Sequence, residues 1–98
     1  MIILRIHTLL NKEVVLSAER WNHIIRKHPE IKQPEQVTQV LSNPEIIIYN
    51  PTTEGIIYQR KRDDGYVTVV LNREQTFVIT AFVAEHIKKG EIIWQKNS

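Results

Sequence analysis

The chain has 98 residues, no cysteine, and 13 Lys and Arg against 11 Asp and Glu, a formal net charge of +2. Without cysteine it has no disulfide framework, no thiol nucleophile and no thiolate zinc site. A charge this small does not by itself indicate a nucleic-acid partner, because affinity for phosphate depends on local clusters of cations. The length suits one small domain, and we expect a single domain over residues 1–98.

Targeting and membrane signals are the next feature of the sequence. No apolar run approaches the roughly 18 residues that cross a bilayer. The start, Met1–Arg5, is too short and too soon interrupted by charge for a signal peptide. We therefore expect a cytoplasmic protein that has no membrane partner.

The first third of the sequence predicts a hairpin followed by a helix. Ile2–Ile6 and Glu13–Leu16 have the character of short strands joined by a turn. A helix follows over Ala18–His28, with Ser17 as its N-cap. It ends there because Pro29 disfavours helical geometry in the residue before it.

A second helix and a series of strands make up the rest of the chain. The helix begins at Pro34, since proline suits the first helical turn, and ends at Ser42-Asn43-Pro44. The apolar period then changes to two, which predicts strands at Glu45–Tyr49, Ile56–Arg62, Tyr66–Asn72 and Thr76–Val83. Asp63-Asp64-Gly65 is typical of a tight hairpin. Glu85–Gly90 reads as a turn or short helix, and Glu91–Trp94 is left open as an additional edge strand.

This order of elements predicts an α+β fold. We expect two N-terminal helices packed on one face of a four-stranded antiparallel sheet, together with a short N-terminal hairpin. In such an arrangement the helices cover one face of the sheet. The other face is then available for a ligand.

Two histidines on the first predicted helix are candidates for acid or base chemistry, because histidine titrates closest to neutral pH. Taking Trp21 as the origin, His28 lies at about 340°, within the apolar stripe, and His23 at about 200°, on the polar side. The alternatives stay open: His28 as a residue that stabilises the helix dipole, and His23 as a solvated surface residue. No carboxylate completes a ligand set around this pair, so we expect neither a metal nor another cofactor.

Three strand residues are further candidates. Tyr58 and Arg60 share one side of their strand, where arginine suits phosphate and tyrosine offers a stacking platform for a base. The alternative is a hairpin with exposed charges. Thr80 is a polar residue in an otherwise apolar run, and its hydroxyl could equally be satisfied by the backbone.

Several short motifs, taken in order, resemble the barnase–EndoU–colicin–RelE superfamily of small metal-independent ribonucleases, and its phage-type nuclease branch most closely. The resemblance extends from about Leu16 to Trp94. The motifs are Glu19-Arg20-Trp21-Asn22-His23-Ile24, Lys27-His28-Pro29-Glu30, Ser42-Asn43-Pro44-Glu45, Tyr58-Gln59-Arg60, Val67-Thr68-Val69-Val70, Val78-Ile79-Thr80-Ala81-Phe82 and Ile87-Lys88-Lys89-Gly90-Glu91-Ile92-Ile93-Trp94.

This resemblance implies that RNA binds across the exposed sheet face and that a ribose 2′-hydroxyl attacks the adjacent phosphate without a metal. The implied roles are an acid or base from a histidine, a phosphate grip from arginine, a hydrogen bond from threonine and backbone contacts from lysines. The catalytic residues expected by position are His23, His28, Arg60 and Thr80, and the expected substrate-binding residues are Tyr58, Lys88 and Lys89.

The sequence therefore predicts a metal-independent endoribonuclease, comparable to the toxin of a toxin–antitoxin pair. Its expected partners are RNA and a protein antitoxin, and the oligomeric state is left open. One alternative is a catalytically inactive module of the same fold that binds RNA or protein. Another is an unrelated small α+β protein with a structural or regulatory role.

Overall fold

A computed structural model gives the fold of residues 1–97, and Ser98, the last residue of the expected domain, lies outside the described residues. Both helices follow an N-terminal hairpin and precede the main sheet. The elements are β1 (Ile2–His7), β2 (Glu13–Ser17), α1 (Ala18–Lys27), α2 (Glu35–Ser42), β3 (Ile46–Tyr49), β4 (Ile56–Arg62), β5 (Gly65–Leu71), β6 (Val78–Ala84) and β7 (Glu91–Gln95).

The main sheet has five antiparallel strands in the order β6-β5-β4-β3-β7. The predicted four-stranded sheet is therefore wrong. The fifth strand, β7, pairs with the outer edge of β3, where Trp94 lies opposite Ile47 and Ile92 opposite Ile48. This pairing satisfies backbone groups of β3 that a four-stranded sheet would leave at an edge.

The position of the helices also corrects the prediction. They are not the N-terminal elements, because β1 and β2 come first and form a separate two-stranded sheet. Ser17 caps α1 as expected: its hydroxyl accepts a 3.1 Å hydrogen bond from the backbone N–H of Arg20. No helix within residues 1–97 is long and apolar enough to cross a membrane.

The hydrophobic core lies between the helices and one face of the sheet, which we call the helix-covered face. Helix α1 packs on β6, and α2 packs on β4 and β5. The core is built from aliphatic residues of every layer and one tyrosine, including Leu16, Ile24, Val37, Leu41, Ile47, Tyr58, Val69, Leu71 and Val78. Burial of these side chains gives the main stabilisation of the fold.

The opposite face is crossed by residues 85–90, which we call the crossing segment. Because β6 and β7 lie at opposite edges of the sheet, the chain between them must cross one of the two faces, and its hydrogen bonds to Gln59 place it on this one. A small apolar cluster of Ile46, Ile48 and Ile57 lies on this face. The sequence predicted a face free for a ligand, whereas the crossing segment runs over it and leaves a cleft on either side.

Gln59 fixes the crossing segment to the sheet. It is fully buried on β4, and its Nε2 donates to Thr68 Oγ1 at 3.0 Å and to the carbonyl of His86 at 3.3 Å. Its Oε1 accepts a 2.9 Å hydrogen bond from the backbone N–H of Lys88. A buried amide with all of these partners holds the segment in one position.

Candidate functional site

His28 and Phe82 are the centre of the candidate site. His28 follows the last residue of α1, where its N–H donates to the carbonyl of Ile24 at 2.7 Å and its backbone leaves the helical region. Helix α1 packs against β6, so the imidazole meets the ring of Phe82 with centroids 5.5 Å apart. The His28 side chain remains 33% exposed, which leaves part of the ring accessible to a ligand.

Glu30 places a carboxylate beside this imidazole. Its Oε2 lies 3.7 Å from His28 Nδ1 and accepts a 3.2 Å hydrogen bond from the backbone N–H of Val83 on β6. The carboxylate is thus held between the end of α1 and the edge strand. A neighbouring anion favours a proton on Nδ1, which leaves Nε2 of His28 as the nitrogen free to act on a ligand.

Lys88 brings a cation to the same aromatic ring. Its Nζ lies 5.6 Å from the ring centroid of Phe82, within the range of a cation–π interaction. Lys88, Lys89 and His86 line a cleft of about 580 Å³ that also includes Phe82. We call this the Phe82 cleft. It combines an aromatic face with basic groups, the pair of features that bind a base and its phosphate.

Thr80 lies on the same face of β6 as Phe82. Thr80 is opposite Val70 and Phe82 is opposite Thr68, so both side chains point to the crossed face. Thr80 Oγ1 is shielded from solvent and has no hydrogen-bond partner among residues 1–97. Buried hydroxyls normally have a hydrogen-bond partner, so an unpaired one is unusual. This one lies on a strand that borders the basic cleft.

Tyr58 and Arg60 lie elsewhere. Alternation placed them on one side of β4, as the structure also does, but that side is the helix-covered face. Tyr58 is fully buried and donates to Gln75 Oε1 at 2.8 Å, so it offers no surface for stacking a base. Burial raises the pKa of its phenol.

Arg60 donates from Nη1 to the carbonyl of Asn43 at 2.8 Å, at the C-terminal end of α2. It lies on β4, with β5 between it and the strand on which His28 packs. His28 and Arg60, whose implied roles require a common phosphate, therefore lie apart: Arg60 donates to the Asn43 carbonyl beside α2, while His28 contacts Phe82 on the edge strand β6.

His23 is half-buried on α1, and it is His28 that contacts Phe82. His23 lies within α1, whereas His28 is the C-cap residue, whose backbone has left the helical conformation. Of the expected residues, His28 and Lys88 both contact the Phe82 ring, Lys89 lines the Phe82 cleft, and Thr80 lies on the same face of β6 as Phe82.

Sequence reasoning missed Glu30, Phe82 and Gln59 as parts of the site. Glu30 follows His28 by two residues, and Phe82 alternates with Thr80, so both had a local signal. Gln59 lies between Tyr58 and Arg60, and no local pattern indicated either its burial or the crossing segment that it binds. Among residues 1–97, no three His, Asp or Glu side chains lie close enough together to hold a metal ion.

Comparisons of this chain with protein-family models, curated proteins and solved structures found no match. The superfamily resemblance thus rests on the sequence motifs alone.

Proposed function

We propose that the protein is a metal-independent endoribonuclease whose reacting phosphate binds in the Phe82 cleft. The observation that carries this proposal is the convergence of the His28 imidazole and the Lys88 ammonium on one aromatic ring. RNA cleavage without a metal requires a base, an acid and a cation near the phosphate, and a stacking surface orients the nucleotide. A group of this kind at an exposed cleft fits RNA better than an apolar ligand.

In the proposed reaction, Nε2 of His28 takes the proton of the ribose 2′-hydroxyl. The freed oxygen attacks the adjacent phosphorus, and the bond from phosphorus to the 5′-oxygen breaks. His86, which lines the same cleft, is the proposed donor of the proton that the leaving 5′-oxygen takes up. The products are a 2′,3′-cyclic phosphate and a 5′-hydroxyl.

The other groups bind and orient the RNA. The Lys88 ammonium offsets the negative charge that builds on the phosphate oxygens, and Phe82 stacks the base of the attacked nucleotide. Glu30 acts through His28, since its carboxylate favours the imidazole tautomer that leaves Nε2 free. Thr80 Oγ1 is shielded from solvent by the surrounding protein. Its hydrogen bond to a phosphate oxygen therefore remains a prediction.

The test is cleavage of mixed single-stranded RNA with a chelator present. His28→Ala should lower kcat/KM by about 10²- to 10⁴-fold, the usual contribution of a general base, and wild type should leave 2′,3′-cyclic phosphate ends by mass spectrometry. His7→Ala and Lys12→Ala, on the exposed N-terminal hairpin, are the matched controls for His28→Ala and Lys88→Ala. Wild-type protein that neither binds nor cleaves RNA would overturn the proposal.

The second candidate is a non-catalytic module that binds RNA or protein through the same cleft. The observation that favours it is the placement of Arg60, which is bonded to Asn43 instead of facing His28. RNA binding that Lys88→Ala weakens, with no cleavage by wild type, would support this module and reject the enzyme. The ribonuclease proposal also includes a cytoplasmic location and a protein antitoxin that covers the Phe82 cleft.

A further inference from the structure

A second cleft lies on the crossed face, on the side of the crossing segment away from the Phe82 cleft. This cleft has a volume of about 590 Å³, similar to that of the Phe82 cleft, and its lining includes Tyr66, Lys61 and Lys96. We call it the Tyr66 cleft. Ile87, whose side chain is exposed, lines both clefts and so stands at the divide between them.

Tyr66 and Phe82 are diagonal neighbours on this face. Tyr66 on β5 lies opposite Ala84 on β6, two residues beyond Phe82. Diagonal positions in an antiparallel pair are about 7–8 Å apart. Two aromatic side chains at this spacing on adjacent strands match the pattern by which β-sheets stack neighbouring bases of a single strand.

A lysine side chain lies over each of the two aromatic rings. Lys61 Nζ lies 4.9 Å from the ring centroid of Tyr66, as Lys88 Nζ lies 5.6 Å from that of Phe82. The Tyr66 cleft has one carboxylate among its lining residues, that of Glu45, which accepts a 3.1 Å hydrogen bond from the backbone N–H of Lys61. With Lys96 included, cations outnumber carboxylates in the lining.

We propose that the Tyr66 cleft binds the nucleotide next to the one held in the Phe82 cleft, on the same single strand of RNA. Its base stacks on Tyr66, and its phosphate is bound by Lys61 and Lys96. The strand crosses over Ile87, which separates the two bases. This inference rests on the proposed function, since it assigns a second subsite to the same substrate.

Two ligands that lack a free 2′-hydroxyl, and so cannot be cleaved, distinguish binding in the Phe82 cleft from binding in both clefts. A 2′-O-methyl nucleoside 3′-phosphate fills only the Phe82 cleft, whereas a 2′-O-methyl tetranucleotide spans both. Tyr66→Ala should weaken tetranucleotide binding about tenfold, the usual effect of losing one stacked base, and leave mononucleotide binding within twofold. Lys88→Ala should weaken both ligands. Dissociation constants are measured by NMR titration of the full chain.

Further variants test whether a loss of binding comes from the removed contact or from a change in folding. Tyr66→Phe keeps the ring and should bind the tetranucleotide within twofold of wild type. Lys61→Ala changes an exposed side chain, so the fold should persist, and should weaken the tetranucleotide about threefold with a shallower dependence on salt. Lys12→Ala is its matched control on the hairpin.

The outcomes distinguish this subsite from the function on which it rests. Unchanged tetranucleotide binding in both Tyr66→Ala and Lys61→Ala, with a loss in Lys88→Ala, would overturn the Tyr66 subsite and leave RNA binding in the Phe82 cleft intact. Wild type that binds neither ligand would overturn the proposed function itself. An equal loss in Tyr66→Phe and Tyr66→Ala would overturn the stacking role of the ring.

Discussion

The side chain of Gln59 holds the main chain of Lys88 above the sheet. Its Oε1 accepts the Lys88 N–H at 2.9 Å, while its Nε2 donates to the carbonyl of His86. Both residues line the Phe82 cleft, so a single buried amide sets the position of two basic side chains of the candidate site. The strand that carries Gln59 also forms the centre of the five-stranded sheet. The site is thereby joined to the central strand of the sheet.

We expect Gln59→Leu to loosen the crossing segment without unfolding the protein. The substitution keeps most of the side-chain volume but leaves the Lys88 N–H without its acceptor, which should lower the free energy of unfolding by about 2 kcal/mol. Chemical denaturation measures that loss, and amide hydrogen exchange should show faster exchange at Lys88 than in wild type. Gln39→Leu, on the exposed side of α2, should change the free energy of unfolding by less than about 0.5 kcal/mol. Unaltered exchange at Lys88 would contradict the anchoring role of Gln59.

We expect Glu30→Gln to reduce RNA cleavage while preserving the fold. The amide oxygen of glutamine can still accept the Val83 N–H, but the negative charge beside His28 is lost. Loss of a charged neighbour of this kind should lower kcat/KM about tenfold. The measurement is single-turnover cleavage of a fluorescent oligonucleotide, with Glu35→Gln on exposed α2 as control. Full activity in Glu30→Gln, with His28→Ala inactive, would remove Glu30 from the mechanism.

The sequence predicts well those features whose signals are local. Ser17 and Pro29 delimit α1 within one residue of the observed helix, because capping and proline sterics act over a few residues. The Asp-Gly pair at Asp64 marks the β4–β5 hairpin for the same reason. Each of these signals depends on neighbouring residues and not on the packing of the whole chain.

Features that depend on long-range pairing could not be predicted. Alternation showed that Tyr58 and Arg60 share one side of β4, but it cannot say whether that side faces the helices or the ligand. The side is decided by which strand face the helices cover. The same limit applies to Trp94, whose pairing with Ile47 joins residues far apart in the chain.

For the candidate site too, local signals could be predicted from the sequence and long-range contacts could not. His28, Lys88 and Lys89 were expected because they belong to short motifs; in the structure His28 and Lys88 contact Phe82, and Lys89 lines the Phe82 cleft. The position of Lys88 above Phe82 depends on β6 and β7 lying at opposite edges of the sheet, which no local pattern encodes. His28 and Arg60 were both expected at the reacting phosphate, but α1 packs over β6 and Arg60 lies on β4 beside the end of α2, with β5 between these two strands.

We expect Gly90→Ala to destabilise the junction between the crossing segment and β7. Gly90 has a φ of +152°, and an added Cβ would clash with the carbonyl oxygen of Tyr49 on β3. Because the obstructing atom is backbone of a paired strand, the clash cannot be relieved by a side-chain movement. The free energy of unfolding should fall by about 2–4 kcal/mol, measured by urea denaturation.

Gly55→Ala is the matched control for that substitution. An added Cβ at Gly55 would meet Val70 Cγ1 at 3.3 Å, a side-chain atom that can shift slightly, and the backbone there has no positive φ. We expect it to change the free energy of unfolding by less than about 1 kcal/mol. Equal losses in the two alanine variants would show that strain at Gly90 is not the cause.

His7 on the N-terminal hairpin should titrate above its ordinary value. The hydrogen bond to Glu13 is the largest cause of this raised pKa, and the hydrogen bond to Asn11 adds to it. Nδ1 lies 3.1 Å from Glu13 Oε1 and Nε2 lies 2.9 Å from Asn11 Oδ1. Both neighbours are acceptors, so only the doubly protonated imidazolium donates to each of them. NMR titration of the His7 ring protons measures this pKa.

Glu13→Gln should lower the pKa of His7, because the largest cause of its elevation loses its charge. A pKa that is higher in the folded state stabilises the protein at pH values below the unfolded pKa of about 6.5, and this stabilisation is lost as pH rises through the folded value. The stability difference between wild type and Glu13→Gln should therefore be larger at pH values below about 6.5, the unfolded pKa, than at alkaline pH, where the imidazole is neutral in both states. Glu35→Gln should leave the His7 titration unchanged. A His7 pKa that is the same in wild type and Glu13→Gln would mean that the carboxylate does not hold the proton.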